Sequence, residues 1–104
     1  MDKAKIDKQL VTFKQRVEAA FKPQKIILYG SYAQNKTNEY SDVDILVVSN
    51  TFKDMNIDER SNKLYAMTQN LHPDFQAHGF TLNEIENASP YSTLGEALRT
   101  GVSI

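Results

Sequence analysis

The chain has no cysteine and no tryptophan, only four glycines and three prolines, and no long apolar run. Without cysteine, disulfides and thiolate metal sites are excluded, and a reducing cytoplasm is the expected location. No stretch approaches the roughly eighteen apolar residues that a membrane-spanning helix needs, so no membrane partner is expected. The N-terminus reads Met-Asp-Lys-Ala-Lys-Ile-Asp-Lys, which lacks the apolar core of a secretory signal. His72 and His78 are the sole histidines, so a zinc cluster would need carboxylate help. An excess of one charge is also missing. The formal net charge is −1, whereas a dedicated nucleic-acid binder is strongly basic.

What is present suits one small α/β or α+β domain over residues 1–104: the chain is 40% apolar, enough for a modest core. Its size leaves little room for a second domain, so a large substrate calls for a partner. Charge is unevenly spread. Residues 1–25 hold seven basic and three acidic side chains (+4), and residues 26–104 hold five basic and ten acidic ones (−5). This is either a solvated, lysine-rich helix face or a positive surface for a nucleotide, a nucleic acid or an acidic partner.

Ile6, Leu10, Phe13, Val17 and Phe21 recur at the helical period, which predicts an amphipathic helix over about 4–21, stopped by Pro23. Residues 25–29 read as a buried strand ending at Gly30, 31–34 as a short helix, 35–40 as a turn with Asn35 left-handed, and 43–48 as a second strand. Residues 50–56 read as a loop. Asn56 with Glu59 marks a helix start, and Ile57, Leu64, Met67 and Leu71 form one face before the break at Pro73. Residues 75–80 are a third strand candidate, followed by a capping box at Thr81 and Glu84. Ser89-Pro90 reads as an N-cap and first helical position, Leu94, Ala97 and Leu98 as an inward face, and Gly101 as the helix end. The order α-β-α-β-α-β-α-α describes a small sheet covered by helices.

The chemistry-bearing segment is 30–44. Gly30-Ser31 closes one apolar run, and Ser41-Asp42-Val43-Asp44 opens another. Alternate strand residues share a face, about 6.6 Å apart, so Asp42 and Asp44 point together while Val43 enters the core. Two such charges repel, and a divalent cation removes that cost. Mg²⁺ (or Mn²⁺) commonly takes one or two carboxylates plus substrate phosphates. Gly30 lets a ligand approach the backbone, and Ser31 sits where the first helical N–H groups favour phosphate. A phosphate site beside a carboxylate pair describes nucleotidyl transfer: displacement at the α-phosphorus of a nucleoside triphosphate, with pyrophosphate leaving. Asp42-Val43-Asp44 is not a calcium loop, because apolar residues follow it, and Gly30-Ser31 is not a Walker loop, because no Gly-Lys-Ser/Thr follows it.

Gly30-Ser31-Tyr32-Ala33, Ser41 to Val48 and the Gly101 to Ile104 tail together resemble the minimal nucleotidyltransferase family, within the DNA polymerase β-like superfamily. Asn35 stands where family members often have a further glycine. The resemblance implies the polymerase β palm-like fold, a small mixed sheet flanked by helices, and AMP transfer from ATP to a hydroxyl. It assigns Gly30 and Ser31 to the nucleotide and Asp42 and Asp44 to metal and catalysis. It also implies a HEPN-type helical partner protein in a toxin–antitoxin module, the chain serving as antitoxin by adenylylating a tyrosine of that partner. The superfamily's third carboxylate is the point of departure. Spacing back from Thr81 puts Gln76 there, and glutamine is no general base. His78 is the candidate base or ligand on the same face, and Asp74 serves if the register slips by two; each also reads plainly as a strand residue with no such role. Tyr32, Tyr40, Tyr65 and Tyr91 read as core-edge residues, with Tyr32 and Tyr40 as further candidates for base contact or for accepting the transferred group. The rival class is a non-catalytic module of the same fold that neutralises or scaffolds a partner by surface contact. Self-association is compatible with either.

Overall fold

The computed structural model describes residues 2–104. A 3-10 turn at Asp2–Ile6 leads into α1 (Asp7–Phe21). Leu10, Phe13, Val17 and Phe21 are its buried residues, as their spacing requires. Lys22, left-handed at φ 45°, ends it just before Pro23. Then come β1 (Lys25–Tyr29), α2 (Ser31–Gln34), β2 (Val43–Val48), α3 (Ile57–Ala66), β3 (Phe75–Phe80), α4 (Leu82–Glu86), α5 (Thr93–Thr100) and β4 (Val102–Ser103).

The sheet order is β3-β2-β1-β4. β1 pairs antiparallel with β2 and β4, and β2 pairs parallel with β3. This is the mixed α/β sheet that the sequence predicts. One face packs on α1: Ile26, Leu28, Val43, Ile45, Val47 and Phe75 share a core with the buried α1 residues, Leu64 and Phe52. Within it the Phe13 and Phe75 rings lie 5.4 Å apart and those of Phe21 and Phe52 5.0 Å apart. The other face carries a smaller cluster of Ile27, Leu46 and Ala97, joined by Tyr29, Phe80, Leu94 and Leu98. There α5 covers the middle of the sheet.

Caps follow the sequence in part. Asn56 accepts from the Glu59 N–H at 2.9 Å, and Thr81 and Glu84 make both bonds of the capping box. Asn35 is left-handed at φ 57°. Four expectations are corrected. The α5 cap is Ser92, accepting from Gly95 N–H at 3.0 Å, because Ser89-Pro90 is held in a turn against which Gly95 packs its bare Cα. Ile57 is exposed rather than inward, since it begins α3 on the solvent side. α3 ends at Ala66, so Leu71 is buried from the following turn and not from the helix. Residues 50–54 form a 3-10 turn that buries Phe52.

Arg60, 5% exposed, ties four elements together. It donates to Met55 O (3.0 Å) and Gly79 O (3.2 Å) and holds the Glu84 carboxylate through two bonds, 2.6 and 3.1 Å. Its guanidinium also lies over the Phe52 ring. Among the described residues no helix is long and apolar enough to cross a membrane.

Candidate functional site

The site lies where β1 ends and β2 begins. Tyr29 is registered with Asp44, so the turn at Gly30-Ser31 meets the carboxylates at one end of the sheet. Gly30 has φ 71° and ψ −149°, a conformation that side chains resist. A Cβ there would also collide with the Asp44 carboxylate. The backbone angle thus requires glycine, and a Cβ would in addition force the Asp44 carboxylate aside. Residue 31 starts α2, whose Ala33 and Gln34 N–H groups donate to Gly30 O at 3.1 Å. The N–H groups of Ser31 and Tyr32 have no intrahelical acceptor, as at any helix start. Tyr32 is buried at 7% exposure, which places its ring in the core.

The approach to β2 is ordered by polar turn bonds. Asn38 Oδ1 accepts from Tyr40 N–H at 2.8 Å, and Ser41 Oγ accepts from Asn38 N–H at 2.9 Å. Val43 follows at 0% exposure, anchoring the strand between the two aspartates. Asp42 is exposed and Asp44 half-buried on the opposite face from Val43. Burial, and then the Asp42 charge, push the Asp44 carboxyl above its ordinary range, while His78 partly offsets them. The ionised Asp44 therefore sits where a cation would be welcome.

On the other side β3 presents Gln76 directly opposite Asp44, and His78 opposite Leu46. Where the resemblance expects a third carboxylate, Gln76 offers an amide. His78 shares the face with Asp44 and is exposed. Asp74, which accepts from Val43 N–H through its backbone carbonyl at 2.8 Å, lies just before the same strand. Among the described residues no group of three His, Asp or Glu side chains is placed to hold a metal. The donor set nonetheless fits Mg²⁺ or Mn²⁺ of the kind that takes two carboxylates and completes its shell with phosphate and water.

Sequence reasoning missed Tyr29. It is half-buried beside Asp44, and its hydroxyl pKa is raised by burial and then by the Asp44 charge. Its place just before Gly30, at the end of a strand, was the available signal; the register that puts it against Asp44 was not readable. Tyr29 and His78 line a cavity of about 200 Å³ between α5 and the sheet. A larger hollow of about 430 Å³ is lined by Lys14, Lys22 and Lys25, so part of the basic N-terminal region does gather, but none of the selected site residues lines it.

Residues 10–94 match the model of a nucleotidyltransferase domain. No curated protein matches by sequence. A crystal structure from Sulfolobus solfataricus, provisionally assigned as a nucleotidyltransferase, is similar over 98% of this chain and 81% of its own, with a TM-score of 0.71 and 17% identity. BolA1 from Arabidopsis thaliana is similar over 69% of this chain and 89% of its own, with a TM-score of 0.53 and 16% identity. At such identities both likenesses concern the fold.

Proposed function

The chain belongs to the nucleotidyltransferase family, and on that premise we propose that it transfers a nucleoside monophosphate, AMP from ATP, to a hydroxyl. The observation that carries this reading is the packing of Asp44 against Gly30, which joins the carboxylate pair to the turn that ends β1. Gly30 and Ser31 hold the triphosphate through backbone N–H groups and the Ser31 hydroxyl. Asp42 and Asp44 hold Mg²⁺ or Mn²⁺. Such a cation, when bound, neutralises the carboxylates and polarises the phosphoryl oxygens. The acceptor oxygen bonds to the α-phosphorus as the bond to pyrophosphate breaks, and the acceptor's proton passes to His78. The acceptor is a tyrosine hydroxyl of a HEPN-type helical partner, and the chain acts as the antitoxin of that pair; the resemblance to minimal nucleotidyltransferases supports this step.

One observation favours a second reading. Gln76, registered with Asp44, offers no base. In that reading the fold binds and neutralises or scaffolds its partner without chemistry. Incubation of the purified chain with labelled ATP, Mg²⁺ or Mn²⁺ and the HEPN-type protein encoded beside it separates the two. Label on the partner that is lost with Asp44→Asn supports transfer. A stable complex without label, unchanged by that substitution, overturns it in favour of the binding module. If transfer is limited by the missing base, Gln76→Asp raises its rate by about 10²-fold, the low end of what general-base catalysis contributes.

A further inference from the structure

The face that carries Asp44 continues into a hollow between α5 and the sheet. Gly30 and Ser31 lie beyond the end of β1, Asp44 beside them, and Leu46 two residues further along β2 on the same face, about 6.6 Å away. Over Leu46, α5 stands off the sheet and leaves the cavity of about 200 Å³. Leu46, Phe80, Leu94 and Ala97 give it apolar walls, and Tyr29 and His78 add one ring each with a polar atom. A nucleotide laid along this line with its terminal phosphates at Gly30-Ser31 and its α-phosphorus at Asp44 runs next into its ribose and base.

We propose that the cavity between α5 and the sheet is the subsite for the base of the nucleotide. The inference rests on the function proposed above and adds to it what selects a nucleotide over a bare polyphosphate. A base is flat, apolar on its faces and polar at its edge. The cavity has the matching arrangement, with aliphatic and aromatic walls and one polar group, the Tyr29 hydroxyl, available to the edge. Ala97 and Leu94 set the depth of the space from α5. Exposed Thr93 stands on the rim, at the start of that helix.

Binding of ATP and of inorganic tripolyphosphate, each with Mn²⁺, tests this by calorimetry. ATP is expected to bind at least about tenfold more tightly, which corresponds to 1.4 kcal/mol. Thr93→Trp and Ala97→Leu should bring ATP down to the level of tripolyphosphate and leave tripolyphosphate unchanged. Thr93 is exposed, so its variant keeps the test alive if Ala97→Leu fails to fold. Adenosine alone should move the amide resonances of Leu46 and Ala97, and should still do so in Asp44→Asn, because it carries no phosphate. Equal binding of the two ligands, or an ATP preference untouched by both variants, overturns the base subsite while leaving the phosphate site standing. Variants that weaken only an aromatic acceptor overturn it too, since the cavity then belongs to the acceptor. Binding of neither ligand removes the phosphate site and this subsite together.

Discussion

Two acidic residues of this small fold meet opposite fates. Glu84 faces Arg60, whose two hydrogen bonds, first among several causes, hold its carboxyl below the ordinary range. Asp44 faces Asp42 and a half-buried setting, and its carboxyl is pushed up. Around Arg60 each guanidinium nitrogen finds an oxygen and four elements are joined; around Asp44 two like charges share one face and Gly30, in a conformation open to glycine, presses close. The first region is arranged for the folded chain alone. In the function proposed above, the second is arranged for something that the chain does not supply, a cation and a phosphate.

Asp44→Asn should therefore split stability from activity, and it carries the largest effect. Loss of a cation ligand removes several kcal/mol of transition-state stabilisation, roughly 10³-fold or more in transfer rate. The same change relieves the repulsion, so the metal-free protein should melt a few degrees higher than wild type. Mn²⁺ should raise the melting temperature of wild type and not of the variant. A variant that melts lower than wild type in chelator would mean that the aspartate pair is not a liability, and the contrast with Glu84 would fail.

Glu84→Ala tests the other region. It strands a guanidinium that is 5% exposed and keeps only two carbonyl partners. Breaking a fully buried ion pair costs about 3–5 kcal/mol; the Glu84 side chain is 41% exposed, so water replaces part of the loss. About 2 kcal/mol is expected, which is about 10 °C in a domain of this size. Metal-dependent stabilisation should survive. Gly30→Ala comes next. It forces a side chain into φ 71° and against the Asp44 carboxylate. The cost is about 1–3 kcal/mol of strain, and Mn²⁺ binding should weaken with it, because the carboxylate must move. Unchanged Mn²⁺ affinity would show that Gly30 serves the turn and not the site.

The two regions also differ in how far the sequence discloses them. Asp42, Asp44 and Gly30-Ser31 announce themselves because their chemistry is local: alternation on one strand and a turn at the end of another. Their meeting followed from adjacency of two apolar runs, which the antiparallel register bears out. The Arg60 clamp is invisible at that level, since its partners lie 5, 19 and 24 residues away and nothing in the pattern of α3 marks residue 60 as buried. Tyr29 was hidden for the same reason. β4 has two exposed residues and no alternation to read; it exists because Ile27 and Leu28 offer an open edge. Gly101 does end α5, in an extended and not a left-handed conformation, and the need for glycine comes from the Ile27 side chain and the Ala97 carbonyl, against which a Cβ would clash. The Ser89-Pro90 signal was a genuine local cap pattern overridden by packing, with Ser92 three residues on providing an equivalent oxygen.

The smallest expected effect, and the one that sets the regions against each other in one experiment, is the pH profile of stability. Asp44 has its folded pKa raised above the ordinary 3.8, so the folded state pays a penalty once the group ionises. That penalty is full above the raised value and fades as pH falls toward 3.8. Glu84 has its folded pKa lowered from 4.5, so its contribution is full above 4.5 and is lost as pH falls through the lowered value. Acidification should relieve Asp44 as pH falls toward 3.8 and uncouple Glu84 as pH falls below 4.5, so the two push the melting temperature in opposite directions, Asp44 adding a rise and Glu84 a fall. Asp44→Asn should remove the rise and keep the fall. Glu84→Gln should keep the rise and soften the fall. Saturating Mn²⁺ should erase the rise in wild type, because a bound cation keeps Asp44 ionised at no cost. A wild-type profile that declines steadily and overlays that of Asp44→Asn would mean that the two carboxylates are not opposites, and that the end of β1 is an ordinary solvated turn.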